Sequence, residues 1–371
     1  MSIRFVFLML ISVIVVDTAL AGGTGGRLVA VSGTVWIQEP GADETRARAG
    51  EELTPGTIIR TDTDGQAEVT LEDGSIMVVQ SNSSVVLSGI KRQQRKKTSI
   101  LIFFGRIWNK VSRKLGERAS YEVNTPIVVC GVRGTDFEAA VGDDGSVRIR
   151  VDQGIVYVTD EGHDETVNAG EEIESDPDGI GEVKVAEDRP DWKQWQSRKR
   201  ERVRQQGRDI IDKFKERILS RKEKLERLRT RQKEIELKRK AAEERARAGD
   251  PDAIEEIRRY NQQLVSIADD IADLGDAAGS QFGLVDHFAD LAIDPRFQMI
   301  DGKYVEAEAA SMKRIKAMFD EMIAEGTDIS MEAMEKMLQE MSKGQRGSLK
   351  FPKGSSADDL WGSDEKNPKP E

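Results

Sequence analysis

The amino-acid sequence predicts two architectures in one chain: an all-β N-terminal domain, solenoid-like or sandwich-like, followed by an all-α region of coiled-coil or helical-bundle type. Three observations carry this. From Leu28 onward apolar residues recur at every second position, at Val29, Val31, Val35 and Ile37 and again at Ala67, Val69 and Leu71, the period of half-buried strands. A short unit also recurs. Gly33-Thr-Val-Trp-Ile with Ala49-Gly-Glu-Glu-Leu53 is echoed by Gly154-Ile-Val-Tyr-Val with Ala169-Gly-Glu-Glu-Ile173, so similar β units stack on or pack against each other. From Pro190 the composition turns basic and the apolar residues take up a helical period.

Of the 371 residues, 33% are charged and only 5% aromatic, with a net charge of −11, so part of the chain is extended or solvated rather than globular core. Residues Ile3 to Val16 are apolar apart from Arg4 and Ser12, and Ala19-Leu20-Ala21 offers the small residues a signal peptidase accepts. Residues 1–21 are therefore read as a signal peptide, its apolar run being short of the ~20 residues that span a bilayer. The expectation is an exported chain, periplasmic or secreted, with no transmembrane segment after cleavage. Cys130, the only cysteine, cannot form an internal disulfide and reads as a small buried residue.

The β domain is expected over residues 28–175, folding on its own. Within it, Asp73-Gly-Ser75 and Asp144-Gly-Ser146 suit two-residue hairpin turns. Lys91, Arg92, Arg95, Lys96 and Lys97 form a basic hairpin tip leading into the apolar stretch Thr98 to Phe104; with Arg198, Lys199 and Arg200 they are the candidate polyanion contacts. Trp36, Phe103, Phe104, Trp108 and Phe137 read as core rather than as a carbohydrate platform. Residues 176–189 form a linker whose Asp176-Pro-Asp-Gly-Ile-Gly181 lacks the third acidic ligand of a calcium loop.

The most specific stretch is Asn124 to Phe137. Ile127, Val128 and Val129 read as a buried strand, and Arg133 stands between Gly131 and Gly134, where the backbone turns sharply or approaches another segment closely. A guanidinium in such a corner is expected to pair with Asp136 or a backbone carbonyl and lock the fold, with partner contact as the alternative. Thr125-Pro126 followed by Gly131-Val-Arg133-Gly134-Thr135-Asp136-Phe137 resembles the signature of the FecR domain family. The resemblance runs roughly from Val29 to Ile173 and includes Val31-Ser-Gly-Thr-Val35, the Asp73-Gly-Ser75 turn, Gly105 and Gly154. It implies an exported sensing or interaction domain. The best-known members receive a signal from an outer-membrane transporter and control a sigma factor through a cytoplasmic segment; this sequence has a leader in place of that segment, so the sigma-factor role is not carried over.

Residues 189–247 hold 23 Lys or Arg against 11 Asp or Glu, which leaves a net −23 for the rest of the chain. Over 190–277 a charged coiled coil or helical hairpin is expected: Ile211, Phe214, Ile218, Leu225, Leu228 and Ile235 fall on a and d positions, and Arg221 and Gln232 take the other core slots. Gly249-Asp250-Pro251 breaks the helix, most simply into an antiparallel hairpin; parallel self-association into a homo-oligomer is the alternative. The helical region 278–343 is expected to hold a third helix near Val305 to Ala324. A fourth would be capped by Ser330 and carry the stripe Met331, Met334, Met337, Leu338 and Met341. Residues 344–371 read as a disordered tail.

His163 reads as a solvated loop residue and His287 as a packed one, and neither has metal-ligand spacing, so no metal, cofactor or catalytic residue is assigned. The expected class is a non-enzymatic exported protein with a sensing, protein-binding or scaffold role and an envelope protein as its unknown partner. The alternative is a binder of anionic envelope polymer or lipid through the basic helix; export argues against nucleic acid.

Overall fold

The computed structural model describes residues 25–92, 95–112, 119–160, 162–186 and 191–344. The expected leader 1–21 and the expected tail beyond Gly344 lie outside the described residues, as do the side chains of Lys91, Arg92, Arg95, Lys96 and the Met331–Met341 stripe. In chain order the strands are β1 (Gly26–Ser32), β2 (Val35–Gln38), β3 (Thr45–Arg46), β4 (Glu52–Leu53), β5 (Ile58–Thr61) and β6 (Gln66–Leu71). There follow β7 (Ile76–Val79), β8 (Ser83–Arg92), β9 (Arg95–Lys110), β10 (Ala119–Asn124), β11 (Val129–Val132) and β12 (Asp136–Val141). The last are β13 (Val147–Gln153), β14 (Ile155–Asp160), β15 (His163–Asn168), β16 (Glu171–Ser175) and β17 (Val183–Val185). Three helices complete the chain: α1 (Trp192–Arg247), α2 (Asp252–Ile293) and α3 (Gly302–Gly344).

Strand pairing gives two sheets joined by β9. Sheet A runs β4-β1-β6-β7-β9-β12-β13-β16-β17. Sheet B runs β3-β2-β5-β8-β9-β10-β11-β14-β15, antiparallel except for β9 beside β10. β9 passes from one sheet to the other at Gly105, whose φ of +99° and contact with Ser83 leave no place for a Cβ. Between the sheets, the buried Tyr121 hydroxyl of β10 donates to Asn109 Oδ1 of β9 at 2.8 Å.

The recurring sequence unit is a recurring structural one. Gly33 links β1 to β2 and Gly154 links β13 to β14, with φ of +65° and +87°. β1 then pairs with β4 as β13 pairs with β16. The Glu51 carboxylate accepts from Arg48 N at 2.9 Å, and Glu171 accepts from Asn168 N at 2.8 Å. The Asp-Gly turns differ from the two-residue form. Only Gly74 and Gly145 have positive φ, and Gly74 N donates to Leu71 O at 2.9 Å, so each hairpin turns through three residues with the glycine in the left-handed position. Asp73 and Asp144 instead accept from the backbone N of Ser75 and Ser146.

The apolar stretch at the start of β9 has cover on both faces. Ile100, Leu101, Ile102 and Phe103 are all buried, alternately facing the inter-sheet core and the underside of α2. Leu101 and Phe103 pack with Ile58 and Val86. On α2, Gly279 and Gly283 lie one turn apart, over Leu101 and Phe103. A Cβ at Gly283 would overlap the Phe103 ring, so the missing side chain is what lets the helix backbone press onto the sheet.

Two compact units divide the chain. The first comprises Met1–Lys233 and Ile267–Thr327, so it includes the β body together with much of the helices; the second comprises Glu234–Ser266 and Asp328–Glu371. In the first unit α1 and α2 run antiparallel, while α3 runs along α1: Asp212 accepts from Tyr304 at 2.7 Å, Lys215 pairs with Glu308 at 2.6 Å and Arg229 with Glu325 at 2.7 Å. The polar core slots are satisfied across helices. Arg221 donates to Ala277 O at 2.5 Å, and Gln232 donates to Gly326 O at 2.7 Å. In the second unit Arg245 pairs with Glu256 across the turn at Gly249, and the buried Arg239 pairs with Glu236 and Glu243.

The separate fourth helix is not formed, because α3 continues through Gly326 and Ser330 to Gly344. Gly326 marks a close approach of Arg229 and Ile271 rather than a helix stop. Among the described residues no helix is long and apolar enough to cross a membrane.

Candidate interaction surface

The signature stretch divides into three parts. Thr125 and Pro126 form a turn, with Thr125 Oγ1 donating to Val128 O at 2.7 Å, so the strand begins at Val129, two residues later than the apolar run suggests. Helix α2 holds this turn: Ser280 donates to Thr125 O at 2.8 Å and Gln281 to Pro126 O at 2.9 Å, all four residues being buried or nearly so.

The corner itself is locked by Thr135. Its buried hydroxyl donates to Ile155 O at 2.9 Å and accepts from Ile155 N at 3.2 Å, and its carbonyl accepts from Val111 N at 2.9 Å. Phe137 is fully buried in the inter-sheet core. Asp136 lies 3.9 Å from Lys110. The expectation of a buried Arg133 is corrected: its side chain is exposed and makes no hydrogen bond or ion pair among the described residues. A threonine hydroxyl, able to donate and accept at once, fills the role assigned to the guanidinium.

Arg133 stands at one end of an open strip of sheet B. On β14 the outward residues are Ile155, Tyr157 and Thr159, with Tyr157 57% exposed. Gly131 of β11 faces Tyr157, and Thr166 and Asp164 of β15 face Tyr157 and Thr159. The inward residues Cys130, Val132, Val156 and Val158 are core. Burial pushes the Cys130 thiol up to about 12, so it stays protonated.

Helix α2 occupies the neighbouring strip, over β8, β9 and β10. Asp276 accepts from Ser88 and Ser99, each at 2.8 Å, and Ser99 accepts from Asn124 at 2.9 Å. Although Asp276 is only partly withdrawn from solvent, the protein packed around its carboxylate pushes the pKa up to about 6, against the pull of both serines and Lys97. Burial acts to lower the Lys97 ammonium, but Glu122 and Asp273, each at 2.7 Å, outweigh it and hold it above its ordinary value. Farther along α2, His287 stacks on Phe104 at 4.0 Å and meets Asp143 at 3.0 Å. Burial raises the Asp143 carboxyl, yet His287 and Arg200 bring it below the usual range.

Five cations in the N-terminal half of α1, Lys199, Arg200, Arg202, Lys213 and Arg217, face acidic residues of the β body. Arg202 pairs with Asp144 at 3.2 Å, Asp176 at 3.4 Å and Asp178 at 3.3 Å; Lys213 also reaches Asp178, and Arg217 reaches Asp160 at 3.1 Å. Lys199 pairs with Glu174 at 2.9 Å, and Arg200 lies 3.7 Å from Asp143 and over the Phe297 ring. Only Arg198 of that triplet points into solvent without an ion pair among the described residues. Asp176 and Asp178 of the expected linker are thus faced by cations.

Two further expectations are refined. Phe103 and Phe137 are core, and Phe104 packs half-buried against the Phe103 cluster, but Trp36 and Trp108 are half-buried on outer faces, where Trp36 donates to Asp62 at 3.4 Å and Trp108 to Asp152 at 3.3 Å. His163 is exposed at the start of β15. Sequence reasoning passed over Asp276, Ser280 and the pair Gly279 and Gly283, whose spacing of four was the signal for a close-packed helix face.

Among curated proteins none shows a significant match to the chain. Two crystal structures of a "putative anti-sigma factor" from Parabacteroides distasonis ATCC 8503, at 1.65 and 2.50 Å resolution, align with a TM-score of 0.30 and 19% identity. The alignment covers 35% of this chain and 59% of that protein. The family model described as FecR protein matches residues 57–157, and the chain thus carries a FecR segment that contains the whole corner from Thr125 to Phe137.

Proposed function

We propose that this chain is a non-enzymatic envelope protein of sensing or signalling type, whose β body contacts a protein partner through the open strip between Arg133 and Asp164. The observation that carries this is the position of Arg133. A signature residue with no internal work to do, beside an exposed tyrosine and isoleucine on a rigid sheet, is better accounted for by an external contact than by fold maintenance. The FecR segment supports a regulatory role, and the leader-like residues 1–21 support export to the periplasm or beyond. The helices then act as a brace and spacer for the β body rather than as a polyanion site, since most of their described cations near the sheets are paired.

The reading is tested by comparing Arg133→Ala and Tyr157→Ala with the parent chain in capture of envelope proteins, with thermal melts alongside. Unchanged melting with capture lost supports it. Unchanged capture by both variants would remove the strip from the account.

A further inference from the structure

The two copies of the recurring unit end sheet B at opposite edges, and they differ in one respect that points to a ligand. At the early end Trp36 of β2 is flanked across the sheet by Arg46 and Arg60. Arg60 pairs with Glu44 at 2.7 Å, and Arg46 lies over the Trp36 ring at 5.9 Å. That end is therefore satisfied from within, its carboxylate and its aromatic face each taken by a guanidinium.

At the late end the same register places Tyr157 where Trp36 stands, Gly131 where Arg60 stands, Thr166 where Arg46 stands and Asp164 where Glu44 stands. The carboxylate of Glu44 is kept as Asp164 and the guanidiniums of Arg46 and Arg60 are gone, while Asp62, which accepts from Trp36 at the early end, gives way to Arg133. Asp164 is exposed and has no ion pair among the described residues, and Tyr157 is left open. The space above Gly131 is clear: an added Cβ would meet nothing closer than Tyr157 at 4.0 Å.

We propose that this late end is a receptor for an arginine side chain of the protein partner, seated above Gly131 with Asp164 as its anion and Tyr157 as its stacking face. A planar guanidinium satisfies both a carboxylate and a ring, which an ammonium does less well. This deepens the partner-contact reading and rests on it for biological meaning. Its chemistry is separate, however, because Arg133 would face an opposite charge on the partner and takes no part in holding the arginine.

The tests use the full chain. The probe Gly-Arg-Gly amide, titrated by NMR, is expected to shift the Tyr157 ring and Gly131 amide signals, and the citrulline analogue, isosteric but neutral, to bind at least about fivefold more weakly. Asp164→Asn should reduce arginine-probe binding to the citrulline level, while Arg133→Ala, which removes a like charge, should not weaken it. Gly131→Arg supplies the missing side chain from within: it should abolish probe binding and melt about 2 °C or more above Gly131→Arg combined with Asp164→Asn, after correction for Asp164→Asn alone. Equal binding of the two probes, or zero thermal coupling between positions 131 and 164, would overturn the proposal. Loss of partner capture in Arg133→Ala with no arginine preference would sink this inference and leave the contact surface standing; the reverse pattern would do the opposite.

Discussion

Replacing Asp276 with asparagine should stabilise the protein at neutral pH and remove a specific part of its pH dependence. The carboxylate sits between α2 and sheet B, accepting from Ser88 and Ser99, and burial raises its pKa from 3.8 to about 6. A raised carboxyl pKa means that ionisation opposes the folded state. The cost is fully present above about pH 6 and absent below the unfolded value near 4, so stability from this site rises as the pH falls through that window. At 1.36 kcal/mol per pH unit the gap corresponds to about 3 kcal/mol, an upper figure because Asp276 keeps some contact with water. The amide removes the charge and keeps the bonds, since one end can donate to Ser88 Oγ while the other accepts from Ser99. Urea unfolding followed by circular dichroism from pH 4 to pH 8 should show Asp276→Asn more stable than the parent by about 1–3 kcal/mol at pH 8, the difference shrinking toward zero near pH 4. Taking the difference cancels the other shifted groups, including Asp143 and Asp290. An asparagine variant no more stable than the parent at pH 8, or a difference independent of pH, would refute the assigned burial.

Gly283→Ala should cost about 1–3 kcal/mol, read as a lowered melting temperature, because the new methyl meets the Phe103 ring; a neutral result would mean that α2 is not pressed onto β9. Thr135→Val should lower the urea midpoint of the full chain by leaving Ile155 N and O without their partner, at about 1–3 kcal/mol, and an unchanged midpoint would move the corner's lock elsewhere.

The β body and its repeat were legible from period-two alternation and the two glycine-led units, except in β1, where a bulge between Leu28 and Ala30 turns Leu28 into the core and leaves Val29 exposed. The cover over the centre of sheet B was legible only in part. Thr98 to Phe104 reads as an unbroken apolar run, which signals burial on both faces, yet nothing local identifies α2 as the covering element. That pairing is set by contacts more than 150 residues apart in sequence, such as Ser280 with Thr125. The charge split was a second clue: a +12 segment beside a −23 remainder is what intramolecular docking through Arg202, Lys213 and Arg217 requires, although it equally suits an external polyanion. Arg133 was misplaced for a local reason. Flanking glycines signal a tight corner, but they do not say which side of the backbone the intervening residue faces; the register of β11 beside β14 decides that, and it turns Arg133 outward.

The most direct test of the account is the behaviour of Arg133→Ala. Exposed, and unpaired among the described residues, this side chain should contribute no more than about 0.5 kcal/mol to folding, so the thermal melt of the variant should overlay that of the parent while capture of the envelope partner falls at least about tenfold. A melting temperature lowered by several degrees with capture intact would return Arg133 to the interior of the fold and contradict the assignment of this corner as a contact surface.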